Sequence, residues 1–199
     1  MPRKHGRTCP GRTTRACIAV ILCWGAVGTA LGEQRIDSSC IEPYRQVAAS
    51  PPLQGTSDGG EGFPWRLAYG YCILQHARLT LHQDWVLSYL DARPQGDAPG
   101  GDGVSLGTDI AMHWKHRNGR VVTPYYELGV GIQFAAGTAF PAHGSRWNFT
   151  LNVGAGVLMP VGISRSLNLA LRYMHLSNAG LSSKNAGYDA IHMLIGVRW

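Results

Sequence analysis

Read two residues at a time, much of this chain separates into a large apolar face and a small or polar one. The stretch WNFTLNVGAGVLM sets Trp147, Phe149, Leu151, Val153, Ala155, Val157 and Met159 against Asn148, Thr150, Asn152, Gly154 and Gly156. A period of two marks a β-strand, because successive side chains leave opposite faces of the sheet. The same alternation runs through WRLAYGYCIL, ARLTLHQDWVLSY, VSLGTDIAMHWK and TPYYELGVGIQFA. Strands are therefore expected over roughly 64–74, 77–91, 103–116, 120–136, 146–160, 163–177 and 188–199, with an eighth over about 40–50.

The links between these strands take turns in length. QH, RNG and VG are short; ARPQGDAPGGDG, GTAFPAHGS and NAGLSSKNAG are long, and PPLQGTSDGGEGFP before Trp65 reads as another long link. Short periplasmic turns and long extracellular loops give this rhythm in outer-membrane barrels. A soluble sandwich also alternates, but the long apolar faces, the aromatics near strand ends and the glycine mixed with charge on the other face favour a barrel. The last residue, Trp199, resembles the terminal aromatic that signals assembly of bacterial outer-membrane proteins. The expected fold is all-β, an eight-stranded antiparallel outer-membrane β-barrel, filled by side chains rather than open as a pore. His82, Asp84, Asp109, His113, Glu127, Arg172 and Arg198 alternate inward and are expected to form a paired polar interior.

Composition changes the picture at the N-terminus. Arg3, Lys4, Arg7, Arg12 and Arg15 stand without an acidic residue and lead into an apolar run from Ala16 to Leu31. This is the pattern of a secretory signal peptide, expected over 1–32, with a single barrel domain over 33–199. The formal charge of +6 comes from 18 basic and 12 acidic residues; five basic residues lie in the leader, so the remainder carries 13 minus 12, or +1. The basic balance thus belongs to the leader and points to no nucleic-acid partner. After the leader only Cys40 and Cys72 remain, too few for a disulfide framework. No later run approaches the roughly 18 apolar residues of a spanning helix. No histidine and cysteine spacing suggests a metal, and no cofactor is implied.

Candidate chemistry lies near the end of the penultimate strand. From Leu167 the odd residues are Leu167, Leu169, Leu171, Tyr173, His175 and Ser177, opposite Asn168 and Arg172, so His175 and Ser177 share the lipid-facing side of the leucines. In the last strand Asp189 shares a face with Ile191, Met193, Ile195 and Val197. Pairing the two strands as a hairpin brings Asp189 level with His175 and Ser177, around a loop over 178–188. Serine, histidine and carboxylate are the set needed for an activated hydroxyl: Ser177 attacks, His175 takes and returns the proton, and Asp189 orients the imidazole. Polar residues at a barrel rim are ordinary, and His-x-Ser alone is a weak motif, so the third residue on the correct face carries much of the weight. Amides near Ala179 and Gly180, or the side chains of Asn178 and Asn185, are candidates to hold an oxyanion. Asn178, Gly180, Asn185 and Gly187 also suit plain turn chemistry.

The stretch HLSNAG at 175–180, the following KNAGYD, and the upstream TPYYELGVG and NFTLNVGAG resemble the lipid A 3-O-deacylases, PagL-like outer-membrane enzymes. The resemblance covers about residues 100–199 well. It implies an esterase of the Gram-negative outer membrane that removes the ester-linked hydroxyacyl chain at position 3 of lipid A, with lipopolysaccharide of the outer leaflet as its partner. His175 and Ser177 match the family's catalytic pair, whereas the family acid is typically Glu and stands here as Asp189, one methylene shorter. An outer-membrane phospholipase and a non-enzymatic structural or adhesive barrel are the rival readings, and a homodimer is left open.

Overall fold

The computed structural model describes residues 45–57, 60–92, 101–116, 121–136, 145–181 and 187–199. The expected signal peptide, Cys40 and Asn185 lie outside the described residues. The strands are β1 (Arg45–Ser50), β2 (Pro52–Ser57), β3 (Gly60–His76), β4 (Leu79–Ala92), β5 (Gly101–Lys115), β6 (Thr123–Ala136), β7 (Trp147–Val161), β8 (Arg165–Ser177) and β9 (Tyr188–Arg198). From β3 to β9 each pairs antiparallel with the next. β1 and β2 share one position in the wall, both lying between β3 and β9, so the segments close as an eight-stranded barrel. At the seam Arg45 N–H donates to Trp199 O at 2.9 Å and Trp199 N–H to Arg45 O at 3.1 Å.

One expected link is not a long loop. Most of PPLQGTSDGGEGFP is strand: β2 and β3 run through it and pair with each other, Thr56 opposite Glu61 and Ser57 opposite Gly60. The first wall strand also runs on to Ser57, past the expected end near residue 50. The prolines that suggest a loop are accommodated as strands accommodate them. Pro51 separates β1 from β2, and the ladder with β9 shifts register just after Pro52.

The two faces of the alternation are the two sides of the wall. Trp65, Leu67, Trp85, Leu106, Leu128, Val153 and Leu171 are exposed on the outside. Inside, Asp84, Asp109 and Glu127 and three arginines, Arg66, Arg172 and Arg198, are buried. Buried charge persists only when paired and hydrogen-bonded. Arg66 donates to Asp109 Oδ2 at 2.6 Å, and Thr150 and Asn152 donate to the same carboxylate at 2.9 and 3.2 Å. Glu127 Oε2 accepts from Arg172 at 3.0 Å and from His113 Nε2 at 2.8 Å. Arg198 donates to Gln46 Oε1 at 2.6 Å and to His113 Nδ1 at 3.1 Å. Because His113 accepts at Nδ1 and donates at Nε2, it is neutral. An apolar exterior around a filled polar interior is the inverse of a soluble protein and suits hydrocarbon outside. Cys72 faces inward, is buried and forms no disulfide among the described residues.

Candidate active site

β8 ends and β9 begins at the end of the barrel that carries the longer links, which is the extracellular end. In the antiparallel ladder His175 stands directly opposite Asp189, and Tyr173 opposite Ile191. On the other flank Phe149 pairs with Ser177, Leu151 with His175 and Val153 with Tyr173. The period of two then fixes direction: Leu171 and Tyr173 on β8, and Ile191 and Met193 on β9, are exposed outside, and His175, Ser177 and Asp189 continue those rows. The His175 and Asp189 side chains are 39% and 47% exposed, while the intervening Met174, Leu176 and Ala190 are buried.

Directly opposed residues in an antiparallel pair hold their Cβ atoms about 5 Å apart, within reach of a short carboxylate. His175 Nδ1 donates to Asp189 Oδ1 at 2.8 Å. This bond assigns the Nδ1–H tautomer and leaves the Nε2 lone pair for a second partner. Ser177 is the next residue along the same face, about 6.6 Å from His175 by strand rise. Tyr173 OH also donates to Asp189 Oδ1.

The loop after Ser177 begins with a tight turn. Asn178 is fully buried, at 0% exposure, and its Oδ1 accepts the Gly180 N–H at 2.9 Å, while Leu181 N–H reaches Asn178 O at 3.0 Å. Ala179 and Gly180 take left-handed conformations, φ 51° and 82°, and both are exposed. Two of the expected oxyanion groups are thus tied together: the Asn178 side chain alternates inward, away from Ser177, and its carbonyl holds the Gly180 amide.

Gly187 matters for a reason that turn chemistry does not supply. Among the described residues the left-handed glycines are Gly162 and Gly180, and Gly187 is not one of them. A Cβ at Gly187 would lie 2.9 Å from His175 Cε1 and 3.6 Å from Nε2. The glycine is required by the close approach of the backbone to the imidazole. Tyr173 and Gly187 are the neighbours whose roles the sequence did not reveal; Tyr173 sat in the same outward row as His175, two residues away, and that spacing was the available signal. Among the described residues no group of His, Cys, Asp or Glu side chains is arranged to hold a metal ion.

Comparison with known proteins bears on this arrangement. The crystal structure of the outer membrane enzyme PagL matches at a TM-score of 0.58 and 24% identity, covering 76% of this chain and 97% of that one. Neisserial surface protein A matches at 0.57 and 19% identity, covering 78% and 95%. At these identities both speak for the barrel alone. The lipid A deacylase PagL of Bordetella bronchiseptica is 34% identical over 71 residues, which span 35% of this chain and 38% of that relative. The family model for lipid A 3-O-deacylase (PagL) matches residues 62–198, through the whole of the outward-facing site and most of the wall that positions it. The chain belongs to the lipid A 3-O-deacylase (PagL) family.

Proposed function

We propose that this protein is an outer-membrane ester hydrolase that removes the 3-O-linked acyl chain of lipid A through a serine nucleophile. The observation that carries this reading is the outward His175–Asp189 hydrogen bond beside Ser177, in a chain of that family. A site on the outer wall at the extracellular end faces the leaflet that holds lipopolysaccharide, so the glycolipid reaches it by lateral diffusion. All three side chains come from one barrel, so the chemistry does not require a second copy.

In this mechanism His175 Nε2 accepts the Ser177 Oγ proton as Oγ attacks the acyl carbonyl. The tetrahedral intermediate collapses, the carbon to sugar oxygen bond breaks, and the proton passes from Nε2 to the departing 3-hydroxyl. Water, deprotonated by the same nitrogen, then cleaves the acyl-enzyme and releases the fatty acid. Asp189 holds the tautomer and offsets the imidazolium charge at each transfer. Gly180 N–H reaches the oxyanion only by releasing Asn178 Oδ1, so the Ala179 amide is the donor this reading favours.

Expression of the full chain in a Gram-negative host with fully acylated lipid A tests the substrate. The expected mass spectrum shows loss of one hydroxyacyl group from position 3. Unchanged lipid A with fatty acid released from phospholipids refutes the substrate, and no lipid change from a folded barrel refutes the activity. Gly187→Ala provides a geometric check. The added methyl forces the His175 ring to shift by a few tenths of an ångström, and deacylation is expected to fall about tenfold in kcat with little change in KM. Activity equal to the parent would show that the imidazole is not constrained there.

A further inference from the structure

We infer that Tyr173 is a positioning residue that fixes Asp189 for its hydrogen bond to His175, so that the orienting unit has two donors on one carboxylate. The inference rests on the assignment of His175 and Asp189 given above.

Tyr173 reaches along the outer wall to the site. Tyr173 lies two residues before His175 on β8 and points the same way, into the lipid-facing row. Its ladder partner is Ile191, yet its hydroxyl goes diagonally to Asp189, where Oδ1 accepts from both Tyr173 OH and His175 Nδ1. Diagonal neighbours across an antiparallel pair are about 7–8 Å apart at the backbone, a span that a tyrosine bridges and a short side chain does not.

Asp189 needs such a partner. Its side chain is 47% exposed at the rim, and a carboxylate there rotates toward water unless something holds it. On β7 the residue opposite His175 is Leu151, which offers no polar group, and on β2 the residue opposite Asp189 is Thr56. Tyrosine suits the task because its ring is rigid, packs with the apolar exterior and carries one donor at its tip. The bland alternative is a tyrosine of the aromatic belt that meets the carboxylate by chance.

A double-mutant cycle in the full-length protein separates these readings. Tyr173→Phe retains the apolar ring and removes only the hydroxyl, on a surface where folding is not at stake; heat-modifiable mobility on gels confirms the barrel. It is expected to lower kcat about five- to tenfold with KM unchanged. In an Asp189→Ala background, itself slower than the parent, Tyr173→Phe is expected to change kcat by less than about twofold, because the group it acts through is gone. The same factor in both backgrounds, an effect on KM alone, or wild-type activity in Tyr173→Phe overturns the inference and leaves the Ser177 and His175 assignment intact. Wild-type activity in Asp189→Ala instead removes Asp189 from the mechanism, and the role of Tyr173 with it.

Discussion

Ser177→Ala is expected to lower deacylation by at least about 10³-fold while the barrel folds normally. In the proposed mechanism the hydroxyl becomes bonded to the acyl group, so no neighbour replaces it, and residual rate comes only from substrate binding and oxyanion contacts. Folding is unaffected because Ser177 is the last residue of β8, faces outward, and forms no side-chain hydrogen bond among the described residues. His175→Ala is expected to fall to a similar level, and the double variant no further, since the proposed nucleophile and base act as one unit. Mass spectrometry of lipid A from cells expressing equal amounts of folded protein reads the result. Substantial hydroxyacyl loss with Ser177→Ala would falsify the serine mechanism, and multiplicative losses in the double variant would dissolve the unit.

The opposite behaviour is expected on the inner side of the wall. Glu127 accepts from both Arg172 and His113 in the closed interior. Glu127→Ala leaves a buried guanidinium without its counterion and a histidine donor without its acceptor. Breaking a buried pair from one side costs about 3–5 kcal/mol. With urea m-values of about 1–3 kcal/mol per molar, the unfolding midpoint in lipid vesicles should drop by at least about 1 M. Glu127→Gln keeps an acceptor and should lose less. The specific activity of whatever remains folded should stay near the parent value, because the site lies on the other face. An unchanged midpoint would mean that the interior network contributes little to stability.

Much of this architecture was legible in the alternation of residues, because a period of two leaves no freedom: once Arg172 and Asn168 face inward, His175 and Ser177 must face outward. What was not legible depended on distance across the barrel or on the diagonal of a sheet. Arg66 and Asp109 meet across the closed interior from β3 and β5, and Tyr125 bonds Asn168 from β6 to β8 at 2.8 Å; no local spacing announces such partners. Tyr173 was visible as a face member, but its diagonal bond to Asp189 requires strand register. The segment 51–63 read as a loop because prolines and glycines dominate it, whereas a closed barrel absorbs Pro51 and Pro52 at a break and a register shift. The Gly180 amide, a candidate by its place in the loop, is held by the Asn178 side-chain carbonyl, a local turn bond that composition does not announce.

For the proposed site, the outward orientation of His175, Ser177 and Asp189 has a kinetic consequence. A reacting centre open to the bilayer and closed to the lumen samples a two-dimensional solution, so its turnover follows the mole fraction of glycolipid in the leaflet rather than any concentration in the surrounding buffer. Mixing in inert lipid or detergent slows such a reaction at constant total substrate, and the liberated fatty acid, retained in the same plane, accumulates as a competitor where it was made.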